Sequence, residues 1–168
     1  MTVSMYHVSV PVFSFMLKGL AHILAKAEAH ATERKIEPAA LLGARLAPDM
    51  FTLTRQVQIA TDHAKGAPSR LTGRDIPKYE DNEASFADLQ ARIQKTLAHL
   101  ATFSEADLAG SEDRSVVLKL GDREVPLKGL DYLTRFATPN FYFHVTTAYD
   151  ILRHNGVPLG KMDFFAAR

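Results

Sequence analysis

The sequence predicts an all-α protein, a four-helix bundle with a small β-hairpin between the third and fourth helices. Three observations carry that expectation. Apolar residues recur at steps of three and four along four long segments, which is the spacing of one helical face. The period changes to strand-like alternation once, near residue 115. With 168 residues, 46% of them hydrophobic, the chain is the size of one domain with a substantial core.

The first helix is expected over residues 5–33. Tyr6, Val10, Phe13, Leu17, Leu20, Leu24 and Ala27 form its stripe, and Pro11 predicts a kink or a loosely wound first turn. Glu37-Pro38 closes the segment. A second helix is expected from Pro48, with Met50, Leu53, Val57, Ala60 and Ala64 inward, ending at Gly66 and Pro68. Gln56, Gln58, Thr61 and Asp62 give that helix more polarity than core packing alone requires.

Residues 71–82 read as a long surface crossover. Ser85 caps the third helix, whose stripe is Phe86, Leu89, Ile93, Leu97 and Leu100, with Arg92 and Lys95 on the opposite side. Residues 115–120 and 123–127 form the hairpin around Gly121-Asp122, and Pro126 makes its second strand an edge. The last helix is expected from about 128–131 to His154, weakened at Pro139 and stopped by Asn155-Gly156. The tail that follows carries Met162, Phe164 and Phe165 and is expected to pack back on the body.

Composition excludes several functions. Cysteine is absent, which removes disulfides, thiolate nucleophiles and Cys-ligated metals. A formal charge of +1, with basic and acidic residues interspersed, offers no nucleic-acid face. No signal or spanning segment is expected, so the default localisation is cytoplasmic. GxGxxG, P-loop, HExxH and GxSxG motifs are all missing.

Chemistry concentrates in the fourth helix. Asn140, His144 and Thr147 share one face, and an inward histidine there needs its ring nitrogens paired, with Gln56 as a candidate partner. Asp49 is either a helix-start residue or a base facing the pocket, and Tyr149 with Asp150 could add a hydroxyl and a carboxylate. His22, His30 and His99 lack histidine partners at helical spacing and read as solvated; His7 is read as exposed on the first helix.

The chain resembles the DinB/YfiT-like superfamily of four-helix bundles, and within it an uncharacterised domain-of-unknown-function branch. The residues that carry the resemblance are Leu46-Ala-Pro-Asp-Met50 with Arg55-Gln-Val-Gln58, then Asn140-Phe-Tyr-Phe-His144 through Leu152-Arg-His-Asn-Gly156, and Gly160-Lys-Met-Asp-Phe164. The resemblance implies an up-down-down-up helix order, frequent homodimers, and metal- and thiol-dependent transferases or isomerases among the relatives. It also implies a divalent metal held by His-x-x-x-His on the fourth helix and a third histidine on the second. Here His144 matches the second position, Asn140 stands at the first, and His63, expected near the C-terminal end of the second helix, is the only histidine on it. An amide is a poorer donor than imidazole for zinc or nickel, so no tightly held metal is expected. The expectation is a polar pocket of His144, Asn140, Gln56, Asp49 and Tyr149 that binds a small molecule. The alternative is a zinc or nickel site using His144 and His63. A homodimer is expected through Phe141, Tyr142 and Phe143, unless the tail covers them.

Overall fold

The computed structural model describes residues 3–165, and it is mostly helical with one two-stranded antiparallel hairpin. Its long helices are α1 (Val10–Arg34), α3 (Leu53–Thr72), α4 (Phe86–Leu100) and α7 (Thr138–His154). Between and after them lie the short helices α2 (Pro38–Leu42), α5 (Glu105–Leu108), α6 (Gly129–Tyr132) and α8 (Lys161–Phe164). The hairpin strands are β1 (Ser115–Leu120) and β2 (Arg123–Lys128). α3 packs between α4 and α7, and α1 packs against the other sides of both. Phe13, Leu17, Leu24, Val57, Phe86, Ile93 and Phe141 fill the space they enclose, all essentially without solvent contact. α1 is long and apolar enough to cross a membrane, yet Phe13, Leu17, Leu20, Ile23 and Leu24 on its apolar face are core residues of this fold.

Several boundaries differ from the sequence expectation, each for a local reason. α1 starts at Val10, so Pro11 falls in its first turn, where a missing N–H costs nothing, and no kink is needed. α3 starts at Leu53, capped by the Thr52 hydroxyl, and not at Pro48. It also passes through Gly66 and Pro68 and ends at Gly73, whose φ of 75° is the left-handed stop that Gly66 was expected to supply. Pro38 does more than close the first segment: it is the first residue of α2, the helix-start position where its missing N–H is harmless. Ser85 caps α4 as expected, reciprocally with Asp88.

Arg92 is the largest departure. It was placed on the solvent side of α4 and is only 4% exposed. Its guanidinium meets Asp62 at 2.9 Å, Asp81 at 3.0 Å and Glu83 at 2.8 Å, while its Nε donates to Thr61. The crossover is therefore strapped onto α3 and α4 by charge.

The hairpin pairs as expected, with Pro126 opposite Val117 on its edge strand. Gly129 follows it at a close approach, because a Cβ there would collide with the Ser111 carbonyl oxygen at 1.9 Å. The weak point at Pro139 takes the form of a π-turn over Leu133–Ala137, in which Thr138 N–H reaches back to the Leu133 carbonyl. Widening the turn just before Pro139 accommodates a residue that has no N–H to give. Gly156, at φ 88°, ends α7. The tail docks on α1 and α7: Asp163 meets Lys26 at 2.9 Å and His22 at 3.1 Å, and the Phe164 ring lies edge-on to Tyr149. Residues 166–168 of the expected tail lie outside the described residues.

Candidate functional site

Because α3 runs on to Thr72, His63 sits near its middle and not at its end. That places it beside α7, where its ring stacks on His144 with centroids 5.9 Å apart and planes inclined by 14°. Phe136, within the π-turn, meets His63 edge-on at 5.8 Å. The two histidines, far apart in sequence, are thus neighbours across the α3–α7 seam.

His144 is 8% exposed and pairs with Gln56, whose Oε1 lies 2.6 Å from Nδ1. The Gln56 amide nitrogen donates to the Phe51 carbonyl, so its oxygen must face the imidazole. Nδ1 therefore carries the proton, and Nε2 of His144 keeps its lone pair. Burial, reinforced by Arg55, lowers the His144 pKa. His63 is pushed down to about 4 by burial first, then by His144 and Arg70. Both rings are neutral near pH 7.

The other sequence candidates separate from this pair. Asn140 uses its amide nitrogen on its own helix, donating to the Phe136 carbonyl at 2.7 Å. Asp49 is exposed in the loop before α3, outside any helix. Tyr149 lines a different hollow, with Phe164 of the tail. His99 was read as solvated and is half-buried, 3.0 Å from the Ser69 hydroxyl; His22 is likewise engaged, with Asp163. His7 is exposed, but in the turn that precedes α1.

A cleft of about 460 Å³ opens beside His63, between α3, β1 and the π-turn. Arg70, Lys119 and Asp62 are its charged walls, and Val117, Leu118 and Phe136 its apolar ones. Sequence reading missed Arg70 altogether, because the helix was expected to stop before it. The spacing His63–Arg70, two turns on one helix, was the available signal once Pro68 is allowed inside the helix. A second cleft, about 550 Å³, lies under the crossover, but its central Arg92 is already taken up by carboxylates.

The metal implied by the resemblance needs a donor set of a definite geometry. A three-histidine centre needs lone pairs that converge on one point. His63 and His144 instead stack with nearly parallel planes, and Asn140 turns its amide nitrogen to its own backbone. Among the described residues no group of three His, Asp or Glu side chains is placed to hold a metal ion. The residues do not fit a tight centre of that kind.

A mostly helical body with one two-stranded hairpin ahead of its last long helix is the architecture of a DinB-like protein, and comparison with known proteins agrees. The chain belongs to the family described as "Domain of unknown function (DUF1993)", whose model matches residues 5–165. It is also similar to the crystal structure of a DinB family member protein from Shewanella denitrificans. The two share 45% identity and superpose with a TM-score of 0.91, over 97% of this chain and 92% of that one. No curated protein matches the chain.

Proposed function

We propose that this protein is a small-molecule binding module, a DinB-like bundle in up-down-down-up order whose ancestral metal position has become a polar, metal-free seam. The observation that supports this best is the neutral His63–His144 pair, fixed by Gln56 and opening through His63 onto a cleft of ligand size. A neutral imidazole beside apolar walls can donate or accept one oriented hydrogen bond, which is what a binding site needs for selectivity. The test is a fragment screen by protein-observed NMR, with elemental analysis of protein prepared in metal-free buffer. Shifts at His63, Leu118 and Phe136 without stoichiometric metal are expected. A set of fragments that leaves those signals unmoved overturns the reading.

A second reading, a metal- and thiol-dependent transferase or isomerase, draws on one feature. Gln56 holds the His144 Nδ1–H and leaves Nε2 free, the arrangement that a partner gives a metal-ligating histidine. One equivalent of zinc or nickel that is lost in His144→Ala would favour it. Assembly as a homodimer belongs to the same proposal and is narrowed to Phe143. That ring is 56% exposed, whereas Phe141 is fully buried and cannot serve. Sedimentation at micromolar concentration is expected to give a dimer that Phe143→Ser dissociates; monomer alone refutes it.

A further inference from the structure

Arg70 is a cation with no anion. It lines the cleft, half-buried, and its Nη1 donates at 3.2 Å to the hydroxyl of buried Tyr132, a neutral partner. Among the described residues no carboxylate pairs with it. The nearest acidic wall, Asp62, is held by Lys65 and, at 2.9 Å, by Arg92, so its charge is already compensated from the far side. Lys119 adds a second positive group at the rim, with only a long contact of 3.8 Å to exposed Glu124.

Gly66 explains how Arg70 is held there. One turn earlier on α3, it lacks the Cβ that would strike the Arg70 guanidinium. The side chain can therefore fold back along the helix and lie between Gly66 and Tyr132, fixed before any ligand arrives. A planar fork of N–H donors in a partly desolvated cleft is matched to a carboxylate, which it can engage with two parallel bonds. Apart from the neutral His63, the rest of the cleft, Val117, Leu118 and Phe136, is apolar and suits a hydrocarbon body, not a polyanion.

We infer that the cleft takes a small carboxylic acid, its carboxylate on Arg70 and its apolar body against Val117, Leu118 and Phe136. The inference rests on the binding-module reading and adds the chemical class of the ligand. It is tested on the full chain with matched probes, benzoate against benzamide and hexanoate against hexanamide, followed by NMR at the Val117 and Leu118 methyls and the Arg70 Nε–H. The acids are expected to bind about tenfold tighter than the amides or better, and Arg70→Gln to erase that difference. Gly66→Ala guards against a folding artefact, since alanine is the better helix former and the cation is kept while its resting place is filled. It too is expected to weaken the acids about tenfold and leave the amides unchanged. Equal binding of acid and amide overturns the carboxylate inference and leaves the binding module standing. Failure of every acid and amide to move the cleft signals overturns the inference as well, and the wider fragment screen then decides whether the module reading falls with it.

Discussion

Gln56 has one acceptor and two donors in a place almost closed to water, and it gives its oxygen to His144 and its nitrogen to the Phe51 carbonyl. Removing it strands the His144 N–H. Gln56→Ala is therefore expected to destabilise by about 1–3 kcal/mol in urea unfolding, the usual cost of an orphaned buried donor. A change within a few tenths would show that water reaches the ring. His63 makes a different statement, about pH. Its pKa is about 4 in the fold against 6.5 as the ordinary value. Between those pH values the unfolded chain binds a proton that the native chain refuses, so stability falls as pH drops from 7 to 4. The loss attributable to His63 is on the order of 2–3 kcal/mol. The carboxylates with lowered pKa values, Asp81 and Asp163 among them, act only below this window. His63→Gln should thus flatten most of the slope between pH 4 and 6.5, leaving a residue from His144 and His99, whose pKa values burial also lowers. An unchanged slope would place the titration elsewhere.

At the scale of elements, the crossover is held less by its own sequence than by Arg92, which gathers Asp62 from α3 with Asp81 and Glu83 from the strap. Arg92→Ala leaves three carboxylates together with one less cation, and is expected to cost about 3–5 kcal/mol, the range for a broken buried ion pair. Limited proteolysis should then cut within residues 74–84, and an unaltered digest would mean that the strap is anchored by its apolar contacts. The pattern of apolar steps made the four long helices, the hairpin and the Ser85 cap legible in the sequence, because each of those signals is local. Arg92 was illegible for the opposite reason: its burial depends on carboxylates from two other segments, and a charged residue flanking an apolar stripe reads as solvated until those partners are seen. Gly66 and Pro68 misled in a related way. α3 tolerates both because its neighbours bury it almost entirely there, so packing overrides intrinsic propensity. That error hid Arg70, and it put His63 at a helix end when it stands at the α3–α7 seam. Of the expected pocket, only His144 with Gln56 came together, the one pair that a buried histidine requires on physical grounds.

At the scale of the whole molecule, the described part of the tail packs on α1 and reaches Tyr149 of α7. Four contacts fasten α8 among the described residues: Asp163 to Lys26 and to His22, Phe164 against Tyr149, and the backbone of Phe164 laid directly on Gly19. The last of these is steric, since a Cβ on Gly19 would stand 2.5 Å from the Phe164 carbonyl oxygen, and a backbone atom cannot swing aside as a side-chain tip can. The charged contact is conditional on pH. Asp163 has its pKa lowered to about 2, first by the Gly160 N–H and then by Lys26, so its contribution is complete above the ordinary value of 3.8 and lost as pH falls towards 2. The steric contact does not titrate. Gly19→Ala should therefore lift α8 at every pH, raising hydrogen exchange at the Asp163 and Phe165 amides, whereas Asp163→Asn should do so at neutral pH and lose its difference from the wild type only as pH falls through about 2. If Gly19→Ala leaves both amides as protected as in the wild type, the close approach is not what holds the tail, and the ion pairs together with the Phe164–Tyr149 contact must carry it.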